Sequence, residues 1–236
     1  MNKAPSIFHI DRVDLSFTPK PWAFALERRA EIDACFEAMR REKPAMWNGR
    51  LLLFHHQVVE QGVLRGECLE ADFASFVAWR HWGRPAAGVQ SCFSGAAILS
   101  ADGAFLLGVM APHTLNAGKI YFPGGGLDPE EDLVADKVDL DLCVRRELKE
   151  ETGLDAADFN AEAGWNMIAD GALIALLKVL HSTEDGITLR ERVLAHLSRE
   201  KYPELSDIRM VRGPDDLDGA MPDYVRAFLT TRFAWA

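Results

Sequence analysis

The chain has 236 residues, 48% of them hydrophobic and 26% charged, with a formal net charge of −10. That is enough for one large domain, or one domain with an appendage, around a sizeable core, and it excludes the disordered class. The acidic balance argues against a general nucleic-acid surface, and no apolar run approaches the ~18 residues of a membrane span.

The N-terminal MNKAPSIFHIDRVD lacks a continuous apolar segment, so no secretory signal is expected. Cys35, Cys68, Cys92 and Cys143 are far apart and form no C-x-x-C pair. They read as reduced core thiols of a cytoplasmic protein. In chain order, VDLSF reads as a short strand, and residues 21–42 as a helix with Pro21 at its start. Ile32, Cys35, Phe36 and Met39 make one apolar stripe along that helix. LLLFHHQVV and VLRGECL flank Gln61-Gly62 as a hairpin, and residues 72–82 form a second helix. His55 and His56 are adjacent, so a strand would point them to opposite faces.

AAILS and FLLGV then flank Ala101-Asp102-Gly103, a strong hairpin signal. Further on, ALIALLKVL reads as a buried strand, LRERVLAHLSRE as a helix and DIRMVR as a strand. AMPDYVRAFLTTRF closes the chain as a helix. Strands and helices mix without regular βαβ repetition, which gives an α+β fold. Residues 1–93 read as an N-terminal extension or subdomain, and residues 94–236 as the main domain.

The segment RELKEETGL places Glu147, Glu150 and Glu151 at spacings i, i+3 and i+4. On a helix these share one face, where like charges repel unless a cation sits among them. Hard divalent cations such as Mg²⁺ take such oxygen ligands. Gly153 suits the left-handed residue that ends the helix. Upstream, residues 118–131 read GKIYFPGGGLDPEE, a short strand entering a glycine-rich loop at Gly124, Gly125 and Gly126. Such glycines let the backbone turn tightly and approach a ligand. Together these parts make a cradle for a metal-bridged diphosphate.

These residues resemble the signature of Nudix hydrolases, G-x5-E-x7-R-E-U-x-E-E-x-G-U, where U is a bulky aliphatic residue. Gly125 and Glu131 match its first half, and Arg146 to Leu154 match the second at every fixed position. The resemblance implies a mixed sheet between helices and a diphosphatase using Mg²⁺ or Mn²⁺. Glu147, Glu150 and Glu151 would be metal ligands, with Glu131 as a further one. Arg146 would orient a glutamate through an ion pair. The general base would come from a loop outside the signature, for which Glu184 and Glu204 are candidates. His113, in the loop APHTLNAG, reads as a polar surface turn or as a substrate contact.

The chain departs from the pattern in one place. Fourteen residues separate Glu131 from Arg146, where the pattern has seven. Asp139 and Asp141 flank that stretch and suit helix capping. Residues 127–140 read as an insertion forming a short helix, with Pro129 in its first turn.

The implied substrate is a small-molecule nucleoside diphosphate derivative. Gly118, Ile120, Phe122, Pro123, Gly124, Gly125 and Asp128 are similar to the segment of Nudix enzymes that cleave coenzyme A, although the arginine usual upstream is replaced by Val109-Met110. A nucleotide-sugar or dinucleotide diphosphatase is the alternative, and from another class, a non-catalytic nucleotide-sensing module. A homodimer is left open.

Overall fold

Apolar strands from both halves of the chain meet in one mixed sheet. The computed structural model describes residues 4–44 and 46–234. The N-terminal part supplies β1 (Ser6–Ile10), β2 (Arg12–Phe17), α1 (Ala23–Glu27), α2 (Arg29–Glu42), β3 (Arg50–Glu60), β4 (Val63–Asp72) and α3 (Phe73–His81). Then follow β5 (Gln90–Leu99), β6 (Phe105–Met110), β7 (Ile120–Tyr121), β8 (Gly124–Gly126), β9 (Leu133–Val134), β10 (Lys137–Val138) and α4 (Leu140–Thr152). The chain ends with β11 (Asn160–Ala161), β12 (Trp165–Asp170), β13 (Leu173–His181), α5 (Gly186–Leu197), β14 (Leu205–Val211) and α6 (Asp223–Phe233).

The main path through the sheet is β1-β12-β13-β5-β3-β4-β2-β10-β9. β6 leaves β5 to pair with β14 and β7, and β8 lies antiparallel against β5. β13 runs parallel to β5 from Leu173 opposite Ser91 to His181 opposite Leu99. Both strands are covered on both faces, as a parallel pair requires. On one face Leu148 of α4 and Val193 of α5 pack with Leu176 and Ile98. On the other, Phe228 of α6 packs with Phe122 and Leu177. Along β3, Leu52 and Phe54 join the first cluster, while Leu51 and Leu53 join Trp22, Ile32 and Trp79 under α1–α3. The period of two thus splits one strand between two cores. The strand is continuous across residues 93 and 94, inside β5, and β3 bonds to β5 at Leu53–Ser91 and Phe54–Gln90.

Most elements fall where the sequence puts them. The Gln61-Gly62 turn joins β3 and β4 with φ of 49° and 73°, the paired positive values of a tight hairpin. Three readings are corrected. The helix expected over residues 21–42 breaks at Arg28, whose φ of −114° and ψ of 20° are not helical. The break lets Trp22 and Ala25 of the first piece, and Ile32 and Phe36 of the second, all reach the same cluster.

The Gly124–Gly126 loop is a strand. Gly124 lies opposite Gly95 and Gly125 opposite Ser94, an approach so close that a Cβ on Gly124 would overlap the Ser94 carbonyl. The short helix expected within residues 127–140 is a β9–β10 hairpin, turning through Ala135 at φ 54°. Val134 is exposed and Val138 buried, so the stretch offers no continuous helical stripe. The edge of β2 offers a partner instead. Lys137 pairs with Ser16, and its Nζ lies 2.7 Å from Asp14 Oδ1. Among the described residues no helix is long and apolar enough to cross a membrane.

Candidate active site

α4 is fixed at both ends. Asp139 Oδ1 accepts hydrogen bonds from the N–H groups of Asp141 and Leu142, at 2.9 and 3.2 Å. Gly153 closes the helix at φ 71°. Leu148, Val144 and Cys143 bury its apolar face, and that burial sets the direction of the carboxylates.

Glu147, Glu150 and Glu151 line a cavity of about 110 Å³ together with Leu197, Glu200, Tyr202, Pro203 and Glu204. Five carboxylates thus converge from α4 and from the segment between α5 and β14. Glu151 is the most enclosed, with 6% of its surface exposed. It accepts the Gly124 N–H at 2.9 Å. Glu147 is 2.7 Å from Arg146 Nη1, and Glu150, largely exposed, is 3.5 Å from the same nitrogen.

The electrostatics of the cavity are unfavourable as it stands. Burial raises the Glu147 carboxyl to about 7, with Glu150 and Glu204 adding to the shift and Arg146 opposing it. Burial also holds the Glu151 carboxyl well above the ordinary range, reinforced by Glu147 and Glu204 and opposed by the Gly124 N–H. The Arg146 pairing by itself would lower Glu147, but loss of water and the neighbouring carboxylates outweigh it. A divalent cation would reverse this balance, and the donors are the hard oxygens that Mg²⁺ or Mn²⁺ accepts. The residues therefore fit such an ion chemically. Among the described residues, however, no three His, Cys, Asp or Glu side chains already stand in a metal-holding arrangement. Glu147 is turned onto Arg146.

Arg146 pairs with Glu147 at 2.7 Å. Its most buried partner is a residue for which the sequence offered no role. Asp132 is fully buried, and its Oδ2 lies 2.8 Å from Arg146 Nη2 while accepting the Asp128 N–H at 2.7 Å. Burial works against the Arg146 charge, but Asp132 and Glu147 outweigh it and hold its pKa above the ordinary value. Glu131 stands 3.3 Å from Arg146 Nε and is mostly exposed. It lines a different, shallower cavity of about 370 Å³ with Arg145, Lys149 and Asp155.

The three glycines act at different points. Gly124 donates to Glu151, and Gly125 lies so close to Glu147 that a Cβ there would overlap its carboxylate. Gly126 pairs with Phe93. Of the two loop carboxylates, Glu204 lines the cavity, and its carbonyl accepts the Ala111 N–H at 2.8 Å. Glu184 pairs with Arg192 at 2.5 Å and does not line the cavity. His113 lies edge-on to Tyr202, 6.4 Å between ring centroids, which puts it beside a cavity wall. Glu200 and Tyr202 were not foreseen. The run of Glu200 and Glu204 just beyond α5 was the available signal.

No family model and no curated protein matches the sequence. Solved structures do resemble the fold. A MutT protein from Methanosarcina mazei is 23% identical, over 61% of this chain and 93% of that one, with a TM-score of 0.41. A Nudix hydrolase from M. smegmatis, RenU, is 17% identical, over 62% and 86%, with a TM-score of 0.39. An Ap4A hydrolase from C. elegans is 17% identical, over 61% and 96%, with a TM-score of 0.42.

Proposed function

We propose that the chain is a Nudix-type diphosphatase that hydrolyses a nucleoside diphosphate linked to another group and depends on Mg²⁺ or Mn²⁺. The observation that carries this reading is the single cavity shared by Glu147, Glu150, Glu151, Glu200 and Glu204. The arrangement costs folding stability, as a site built for a cation does.

A bound divalent ion would neutralise charge on the diphosphate and activate water. The protein's own residues then have separable tasks. The Gly124 N–H fixes Glu151, and the glycine strand leaves room for Glu147. Arg146, anchored on Asp132, holds Glu147 within 2.7 Å and so controls where that carboxylate points. Glu204, held outside the signature helix by β14 and the Ala111 contact, accepts the proton of the attacking water. Coenzyme A is the favoured substrate, on the residues between Gly118 and Asp128, with other nucleoside-diphosphate-linked compounds next. The glycines and His113 would lie along the substrate.

The test is product analysis after incubation of coenzyme A, ADP-ribose, a UDP-sugar and a nucleoside triphosphate with Mg²⁺ or with EDTA, because water added across a linked diphosphate yields two phosphomonoesters and no free phosphate. Metal-dependent cleavage of a linked diphosphate is expected. Nucleotide binding without turnover on any of them would identify a sensing module instead.

A further inference from the structure

The larger arginine contacts in this fold are almost all with carboxylates. Arg29 pairs with Asp72 at 2.8 Å, Arg146 with Asp132 at 2.8 Å, and Arg232 with Glu162 at 2.6 Å. Arg80, at the end of α3, is different. It is partly buried, and its Nη2 donates to Asn116 Oδ1 at 3.2 Å. Its guanidinium carbon lies 5.5 Å from the centroid of the Phe76 ring. Among the described residues no carboxylate pairs with it. Burial and then the neighbouring Arg84 push its pKa down. A desolvated cation without a counter-ion is costly, and the cost is offset when an anion binds.

The position of Arg80 indicates which anion. The Asn116 amide donates onward to the Tyr121 hydroxyl at 3.1 Å. Tyr121 lies three residues before Gly124, whose N–H holds Glu151. Burial raises the Tyr121 hydroxyl, and the charges of Glu151 and Glu204 raise it further while Arg80 opposes them. Hydrogen bonds therefore link Arg80 through Asn116 to Tyr121, and Asn116 shares its loop with Ala111, whose N–H bonds to the Glu204 carbonyl, and with His113, which lies against Tyr202 of the carboxylate cavity. In a protein of net charge −10, this is a cation that no carboxylate pairs among the described residues, held by the loop that borders the acidic cavity.

We propose that Arg80, oriented by Asn116 and Tyr121, is a phosphate subsite that receives a phosphomonoester carried by the substrate beside its scissile diphosphate. This rests on the diphosphatase reading for its meaning but not for its test. A guanidinium recognises phosphate through paired, charge-assisted hydrogen bonds. The N-terminal helices would thus select substrates that the metal cavity alone does not distinguish.

The experiment compares binding of coenzyme A with that of dephospho-coenzyme A, which lacks only the ribose phosphate. Calorimetry is run on the full chain with Ca²⁺ in place of Mg²⁺, so that the acidic cavity is neutralised while turnover is withheld. The wild type should prefer coenzyme A by roughly tenfold or more. Arg80→Met, which keeps an apolar stem over Phe76, should abolish the preference, and Arg80→Lys should restore part of it. Asn116→Asp supplies the missing counter-ion without changing size and should abolish it too. If Arg80→Met does not fold, Asn116→Asp decides alone. A wild type without preference, or an Asn116→Asp variant that keeps it, overturns the subsite. Failure of the diphosphatase reading would show separately, as a retained preference without Mg²⁺-dependent hydrolysis.

Discussion

Asp72 and Glu147 are both partly buried carboxylates at helices, and their environments pull them in opposite directions. Asp72 caps α3 by accepting the Ser75 N–H at 3.2 Å. It is also held by Arg29 at 2.8 and 3.2 Å, by Asn48 at 3.2 Å and by the Ser75 hydroxyl. Burial alone would raise its pKa, but these donors outweigh burial and lower it to about 2. Glu147 has one cationic partner and several acidic neighbours, and burial takes it to about 7. The fold thus supplies donors where a carboxylate is structural and crowds acids together where a ligand is expected. Perturbed groups of the second kind mark functional sites more often than the first.

The widest break in this comparison is expected at Glu151. Glu151→Gln should cut Mg²⁺-dependent turnover by roughly 10²–10⁴-fold, by analogy with loss of a catalytic acid or base. Its melting temperature should hold or rise, because a buried like charge is removed. Glu131→Gln, altering a mostly exposed group, should be the milder of the two in the same Mg²⁺ titration. The reverse order would make the β9–β10 segment part of the catalytic core.

Next comes Asp132. Asp132→Ala leaves Arg146 without its buried partner and should cost about 3–5 kcal/mol of stability. Denaturant unfolding would measure this, and a loss under about 1 kcal/mol, typical of a surface pair, would remove Asp132 from the scaffold.

Gly125→Ala tests the close approach of β8 to α4. The methyl group would displace the Glu147 carboxylate, and misplacement of about 1 Å can cost roughly 10²-fold in rate. Turnover should fall with little change in stability, and unchanged turnover would show that Glu147 need not hold its present position.

The smallest effect sharpens the structural side. Because the folded pKa of Asp72 lies below its unfolded value, the unfolded state binds more protons between about pH 4 and 2. The stability it contributes is present above pH 4 and is lost as pH falls through about 2. After allowance for solvent screening this amounts to about 1–2 kcal/mol. Asp72→Asn should lower stability at neutral pH by that amount and flatten the acid limb. An unchanged acid limb would show that the Arg29 and Asn48 contacts contribute little.

Local patterns in the sequence determined the α+β class, the two hairpin turns and α4 with its Asp139 cap and Gly153 terminus. They also placed Glu147, Glu150 and Glu151 on one face. These features follow from backbone geometry over a few residues: helical periodicity, turn chemistry and the φ that glycine tolerates. Only the tertiary structure decided the rest. It made Asp132, not its neighbour Glu131, the buried partner of Arg146. It turned the glycine loop into a strand because β5 offered an edge that only glycine can approach so closely, and it made the lengthened segment a hairpin because β2 was free to pair. It also added Glu200 and Glu204 to the acidic face and brought Arg80 to Asn116. Each of these depends on groups far apart in sequence meeting in space, where burial and available partners override local preference.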